Sequence, residues 1–274
     1  MNPSRENGSL VPNPIAHNGR AVLSGTPPEE LAGLLAPLPR FRAIQIFEWI
    51  AKGAVSFDEM SSLPLGLREE LKSRFAPRTG AVIQREDDRD GTVKLAVEFS
   101  DGAVIEAVLL TDSAGRKTAC LSTQAGCPAG CVFCKTGSLG FSRNLDSSEI
   151  VEQFLLLQAE ADHSGGVERG HCISNIVIMG MGEPLLNLAG LRRAIAVITA
   201  GEGLDFSGRR ITISTCGIAE GIMDLAVNGP GTRMALSLTT ADEALRQRLM
   251  PITASQPLNR VKEALVYFQH QTRR

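Results

Sequence analysis

Three cysteines in Cys127-Pro-Ala-Gly-Cys131-Val-Phe-Cys134 are the residues of this sequence best suited to chemistry. Their C-x3-C-x2-C spacing puts three thiolates on one short loop. A structural zinc ion takes four protein ligands in a tetrahedron, and no fourth His or Cys falls at a ligand spacing from them. A cubane iron–sulfur cluster has four irons, so three thiolates leave one iron open to a small chelating molecule. That asymmetry suits a cluster built for chemistry rather than for electron storage. The spacing differs from the C-x2-C pairs of zinc ribbons and from the C-x2-C-x2-C run of ferredoxins. A partial zinc site and three buried thiols are the plainer readings of the same loop.

The elements around the loop repeat as strand, loop and helix from Lys117 onward. Thr118–Ser122 reads as a strand, and a helix starts at Ser147-Ser148-Glu149 and runs to about Ala161. Asn175–Met179, Arg210–Ser214 and Arg233–Leu238 are three more apolar or alternating runs. Helical spacing follows each, over Leu188–Ala200, Ile218–Val227, and finally Ala241–Met250 with Leu258–His270. Four βα units in succession predict an α/β fold whose parallel sheet curls as a partial (β/α) barrel.

Chemistry in such sheets collects at the C-terminal ends of the strands. The second strand ends in Gly180-Met181-Gly182-Glu183-Pro184-Leu185, where glycines let backbone approach a ligand and Glu183 can accept hydrogen bonds from an ammonium. The third ends in Ser214-Thr215-Cys216-Gly217 and the fourth in Ser237-Leu238-Thr239-Thr240. Singly these read as a glycine turn with an exposed acid and as helix N-caps. Jointly they form one rim opposite the cysteine loop.

Residues 1–20 read as a disordered lead. Residues 21–78 predict a small helical domain, with helices opening at Pro27-Pro28-Glu29-Glu30, over Ala43–Lys52, and twice between Phe57 and Phe75. Residues 79–116 predict a β-hairpin and linker, Val93–Phe99 and Ala103–Leu110 turning at Ser100-Asp101-Gly102. Residues 117–274 carry the incomplete barrel. Glu106 alone reads as an outward position on a half-exposed strand, and Cys120 as a small buried hydrophobe.

The chain of 274 residues is 43% hydrophobic and 21% charged, the balance of an ordinary globular protein. Its polar N-terminal stretch does not read as a signal peptide, and no apolar run in the chain is long enough for a membrane span. A net charge of −2 gives no bulk attraction to nucleic acid, so an RNA partner needs a local patch. Six cysteines, three of them in a ligand motif, point to a reducing, cytoplasmic setting.

The cysteine loop, with Phe133 just before its last cysteine, resembles the signature of the radical S-adenosylmethionine (SAM) enzymes. KTACLSTQAGCPAGCVFCKTG, GFSRNL, MGMGEPLLNL, RRITISTCG and ALSLTTADEALRQRLMPI, with PRFRAIQIFEWI and FDEMSSLP before them, resemble the RlmN/Cfr family of RNA adenine methyltransferases. The resemblance implies that Cys127, Cys131 and Cys134 hold a [4Fe-4S] cluster whose open iron binds SAM. It implies SAM contacts from Gly182, Glu183, Ser214, Ser237, Leu238 and Thr239. Glu106 falls at the family's proton acceptor, and Cys120 at the cysteine that resolves a covalent intermediate by forming a disulfide.

The family's reaction explains those parts. Carbon 2 or 8 of adenine is electrophilic, so direct transfer from the SAM sulfonium fails. One SAM methylates a C-terminal cysteine, a radical from a second SAM activates that methyl group, and the adduct with RNA needs a base and a thiol for release. The resemblance implies methylation of adenine C2 in 23S rRNA and in tRNA, with an external electron donor, by a monomer with no membrane partner. A C8-specific enzyme of the Cfr type is the alternative, and a non-enzymatic, zinc-dependent RNA-binding protein is the rival from another class. The helical domain is the expected RNA contact through Arg40 and Arg42, although its basic and acidic side chains nearly balance. Thr239 stands where the family has His. No cysteine here takes the place of the family's methyl carrier: Cys172 precedes the second strand, and Cys216 lies on the rim but early in the chain. With four βα units against the six typical of radical-SAM enzymes, the chain is expected to be a fragment that cannot complete the reaction by itself.

Overall fold

The computed structural model describes residues 19–165 and 172–272. The lead expected over residues 1–20 falls outside them except for its last two positions. Two short strands, β1 (Ala21–Val22) and β2 (Phe75–Ala76), pair in parallel and close the helical unit at its base. Between them lie α1 (Pro28–Leu34), α2 (Arg40–Ala51) and α3 (Leu65–Arg74). α1 starts at Pro28, whose missing N–H would have no helical partner in a first turn. α2 buries Ala43, Ile46, Phe47 and Ile50, the stripe that a helix needs to face a core. It begins three residues before the expected Ala43, directly after extended Pro39.

The following strands are β3 (Ala81–Asp87), β4 (Val93–Glu98), β5 (Val104–Thr111), β6 (Lys117–Cys120), β7 (Gln124–Gly126), β8 (Phe141–Asn144), β9 (Ile173–Ile178), β10 (Ile211–Thr215) and β11 (Arg233–Leu236). Interleaved are the single-turn α4 (Lys135–Ser138), then α5 (Ser147–Gly165), α6 (Leu188–Ile198), α7 (Ala219–Asn228), α8 (Glu243–Leu249) and α9 (Leu258–Thr272). Seven strands form one sheet in the order β11-β10-β9-β6-β5-β4-β3, while β7 and β8 make a separate ribbon around the cysteine loop. β6, β9, β10 and β11 are mutually parallel, which gives the four expected βα units and the partial-barrel α/β architecture.

Two features differ from the sequence reading. The hairpin is not a free-standing linker: β3, β4 and β5 extend the barrel sheet antiparallel from β6. β3 itself escaped notice because all seven of its residues are exposed, which leaves no apolar alternation to read.

Strand register sorts the side chains onto two faces. Leu95, Val97, Ile105, Ala107, Leu109, Ala119, Ile176, Ile211 and Ile213 point to one side and are at most 1% exposed, packed under the helices. Truncating such a residue to Ala removes about 2–5 kcal/mol of stability. The opposite face carries Glu106, Val108, Cys120, Asn175, Val177, Thr212 and Ser214, all half-buried or exposed. The pairs Val108↔Cys120, Cys120↔Val177, Val177↔Thr212 and Ser214↔Ala235 keep them on that one side. Among the described residues no helix is long and apolar enough to cross a membrane.

Candidate active site at the strand ends

The cysteine loop leaves β7 through Gly126, whose φ is +77° and where a Cβ would lie 2.0 Å from the Gly140 carbonyl oxygen. Only glycine fits there. Three backbone hydrogen bonds hold the loop: Cys127 N–H to Gly140 O at 2.8 Å, Cys134 N–H to Cys131 O at 3.1 Å, and Val132 N–H to Leu249 O at 3.0 Å. Cys127, Cys131 and Cys134 are half-buried free thiols. Burial pushes the Cys127 and Cys131 thiols up, helped at Cys131 by the charges of Cys127 and Cys134 and at Cys127 by those of Glu183 and Cys134.

Crowded thiols that resist ionising alone are the donors that a cationic centre stabilises as thiolates. Among the described residues no three His, Cys, Asp or Glu side chains gather around a single-ion position. A cubane takes its thiolates on separate irons, which a loop of three cysteines can supply.

The glycines of the turn after β9 pack closely against neighbouring backbone and side chains. A Cβ on Gly180 would meet the Ser122 hydroxyl at 2.6 Å and Leu121 at 2.9 Å, and one on Gly182, where φ is +106°, would lie 2.7 Å from the Gln124 side chain. Close packing against the segment joining β6 to β7 requires glycine at both positions. Glu183 is 4% exposed and its carboxylate already has partners: Oε1 accepts from Leu185 N–H at 3.1 Å, and Oε2 from Cys216 N–H at 2.7 Å. Its own N–H donates to Gln124 Oε1 at 2.8 Å. The acid read as able to accept from an ammonium also ties the β9 rim to the β10 rim. A carboxylate has about four acceptor positions, so capacity for a ligand remains.

At the ends of β10 and β11 the hydroxyls of Ser214 and Ser237 are 3.1 Å apart. Leu238 is 41% exposed beside them. Thr239 has φ +65°, a left-handed conformation rare for a β-branched residue, and its hydroxyl donates to Met250 Sδ at 3.1 Å. Cys216 is buried, and burial followed by the Glu183 carboxylate pushes its thiol far above the usual range.

Glu106 and Cys120 lie on the open face one strand pair away. Cys120 pairs with Val108, so Glu106 is its diagonal neighbour on β5, with Cα atoms roughly 7–8 Å apart. Lys94 Nζ stands 3.4 Å from Glu106 Oε1. The Ser122 hydroxyl donates to the Glu106 carbonyl at 2.6 Å and accepts from Met181 N–H at 2.8 Å, which ties β5 to the glycine turn. Burial pushes the Cys120 thiol up, opposed by a backbone hydrogen bond from Met179. All six cysteines are free thiols.

Arg40 and Arg42 sit on α2, outside this rim. Arg40 is exposed, whereas Arg42 donates to Gln45 Oε1 at 2.8 Å and lies 4.8 Å from the centroid of the Phe41 ring. Sequence reasoning missed Ser122, Gln124 and Arg246, which support the site through bonds that no spacing reveals.

Comparison with known proteins agrees with this arrangement. Residues 121–270 match the model of the Radical SAM superfamily. The chain is 53% identical to a probable dual-specificity RNA methyltransferase RlmN of Treponema denticola, over 91% of this chain and 69% of that protein. It is 42% identical to the protein of the same name from Thermus thermophilus, over 90% of this chain and 67% of the relative. The crystal structure of a radical SAM methyltransferase from Sphaerobacter thermophilus superimposes with a TM-score of 0.86 at 35% identity, covering 92% of this chain and 74% of that one. On these matches, and on the cysteine loop and rim they contain, the chain belongs to the RlmN family of the radical SAM superfamily.

Proposed function

We propose that this protein serves the methylation of carbon 2 of adenine in 23S rRNA, and in tRNA as well, through a methyl-cysteine intermediate whose carrier is none of the six cysteines of residues 1–274. The observation that carries the reading is the shared open face: Glu106, Cys120, Ser214 and Ser237 all project from the uncovered side or end of one sheet. When bound, a [4Fe-4S] cluster and SAM supply a carbon radical after one electron arrives from an external donor. The protein's part is then positional and acid–base. Cys127, Cys131 and Cys134 hold the cluster. Gly182, Glu183, Ser214, Ser237, Leu238 and Thr239 contact SAM at the rim.

Glu106, half-exposed beside the Lys94 ammonium, takes the proton from the ring carbon. Cys120 acts as the thiolate that frees the product from the methyl-bearing cysteine, leaving a transient disulfide. The helical unit, residues 21–78, reaches RNA through Arg40 and Arg42. Residues 79–116 and the barrel from residue 117 form the catalytic body. The enzyme works as a monomer in the cytoplasm.

Mass spectrometry of 23S rRNA and tRNA from cells with and without the gene tests the proposal. The expected result is a C2-methyladenine that disappears with the gene. A methyl group at C8 would move the enzyme to the Cfr branch, and unchanged RNA would overturn the reading. For the cluster itself, replacing any one of Cys127, Cys131 or Cys134 by Ala is expected to abolish iron loading and SAM cleavage. Brown, iron-replete single variants, or a colourless zinc-loaded wild type after anaerobic purification, would remove the cluster assignment.

A further inference from the structure

Arg246 is the largest fully buried side chain, 1% exposed. Among the described residues its guanidinium has two hydrogen-bond partners, and neither is a carboxylate. Nε donates to Leu238 O at 3.1 Å, and an Nη donates to Cys216 O. A buried cation without an anionic partner is costly, so such a group persists where its geometry is needed. Both acceptors are rim carbonyls, lying just beyond the ends of β10 and β11 that carry Ser214 and Ser237.

The Cys216 main chain is thereby held from both sides. Its N–H donates to the buried Glu183 carboxylate at 2.7 Å, and its C=O accepts from the buried Arg246 guanidinium. Opposite charges thus hold the two successive peptide groups that flank the Cys216 Cα, between three strand ends. The helix that carries Arg246 makes two further connections. Leu249 O at the end of α8 accepts from Val132 N–H at 3.0 Å, between the second and third cysteines of the loop. The next residue, Met250, receives the Thr239 hydroxyl.

We propose that Arg246 is a positioning residue for SAM, fixing the ends of β10 and β11 against α8 and so setting the rim's distance from the cysteine loop. The inference deepens the SAM-binding reading above and rests on it. The planar fork of arginine is essential, since two diverging donors meet two carbonyls on different strands. A lysine ammonium keeps the charge without that fork.

The test uses the whole protein, loaded anaerobically with iron and sulfide, as wild type, R246Q and R246K. SAM affinity is measured by equilibrium dialysis, alongside iron content and far-UV circular dichroism. Iron content is expected to stay at the wild-type level in both variants, because the three cysteines are untouched. R246Q is expected to bind SAM roughly 10–100-fold more weakly, the scale of lost charge-assisted hydrogen bonds. R246K is expected to fall between R246Q and wild type. If R246Q misfolds, R246K decides alone, with weakened SAM binding at full iron content as its expected result. Wild-type affinity in either variant would overturn the inference, and so would loss of iron and SAM in parallel with loss of helical signal. A wild type that holds iron yet binds no SAM would instead overturn the underlying reading and remove this inference with it.

Discussion

Glu152 and Glu183 are both buried carboxylates that hold main chain together, but their donors differ in kind. Glu152 on α5 is completely buried. One oxygen accepts the Ser24 hydroxyl at 2.6 Å, and the other accepts the N–H groups of Thr79 and Gly80 at 3.0 and 2.5 Å. It thereby fastens the helical unit and the approach to β3 onto the barrel. Glu183 fastens two rims of the site, and each of its oxygens accepts a backbone N–H. A hydroxyl can donate or accept, whereas a backbone N–H can only donate. The scaffold junction therefore tolerates an amide in place of its acid, and the site junction does not. Similar burial conceals opposite chemical demands.

The largest expected effect is at the scaffold. Glu152→Ala strips acceptors from three donors at once, at about 1–3 kcal/mol for each group left buried without a partner. Denaturant unfolding should show a loss of more than about 3 kcal/mol, without a specific defect in SAM affinity in whatever folds. Glu183→Gln should lose less stability, about 1–3 kcal/mol, because only one bond must fail. Its amide NH2 has to face either Leu185 N–H or Cys216 N–H, and the displaced rim should weaken SAM binding about tenfold or more. If Glu183→Gln binds SAM normally, the carboxylate is scaffold in both places and the contrast disappears.

How much of this was open to the sequence depends on the range of the interaction. The cysteine loop was legible because its three ligands lie within one turn-rich stretch. The parallel strands were legible because Ile176-Val177-Ile178 and Ile211-Thr212-Ile213 carry burial in their own pattern. Resemblance pointed to Glu106 and Cys120, but their sharing a face follows from the Val108↔Cys120 register, which no local pattern encodes. Glycines 180 and 182 were legible as special, but their packing against Ser122 and Gln124 was not, since a missing Cβ does not say which long-range neighbour occupies the space. Arg246 was illegible: in Glu243-Ala-Leu-Arg-Gln-Arg-Leu249 its charge matches that of Arg248, and only the fold buries one of them.

A third acid sharpens the scaffold side of the comparison. Asp146 caps α5, accepting from Glu149 N–H at 3.0 Å, while Glu149 Oε2 accepts from Asp146 N–H at 2.9 Å. Burial, reinforced by the charges of Glu149 and Glu152, lifts the Asp146 carboxyl from 3.8 to about 7. Between those values the folded state keeps a proton that the unfolded chain releases, so stability falls as pH rises across that window. Asn is an equally good cap and carries no charge. Asp146→Asn should match wild type near pH 4 and exceed it by on the order of 1–2 kcal/mol at pH 8. Parallel stability curves for the two proteins would show that the cap does not carry the pH dependence.

The smallest expected effect is Glu152→Gln, and it is the sharpest test of the contrast with Glu183. The amide oxygen can keep Thr79 and Gly80, and the NH2 can donate to the Ser24 oxygen once that hydroxyl rotates. Burial raises the Glu152 carboxyl above its ordinary range, against the pull of Ser24, Gly80 and Thr79. A raised carboxyl favours folding while protonated, and that contribution is lost as pH climbs from the ordinary glutamate range through the folded value. The variant has no proton to lose there. It should lie within about 1 kcal/mol of wild type near neutral pH and show a flatter stability curve on the alkaline side of that range. A Glu152→Gln protein as damaged as Glu183→Gln would mean that the Ser24 hydroxyl cannot reverse, and that both junctions demand a carboxylate.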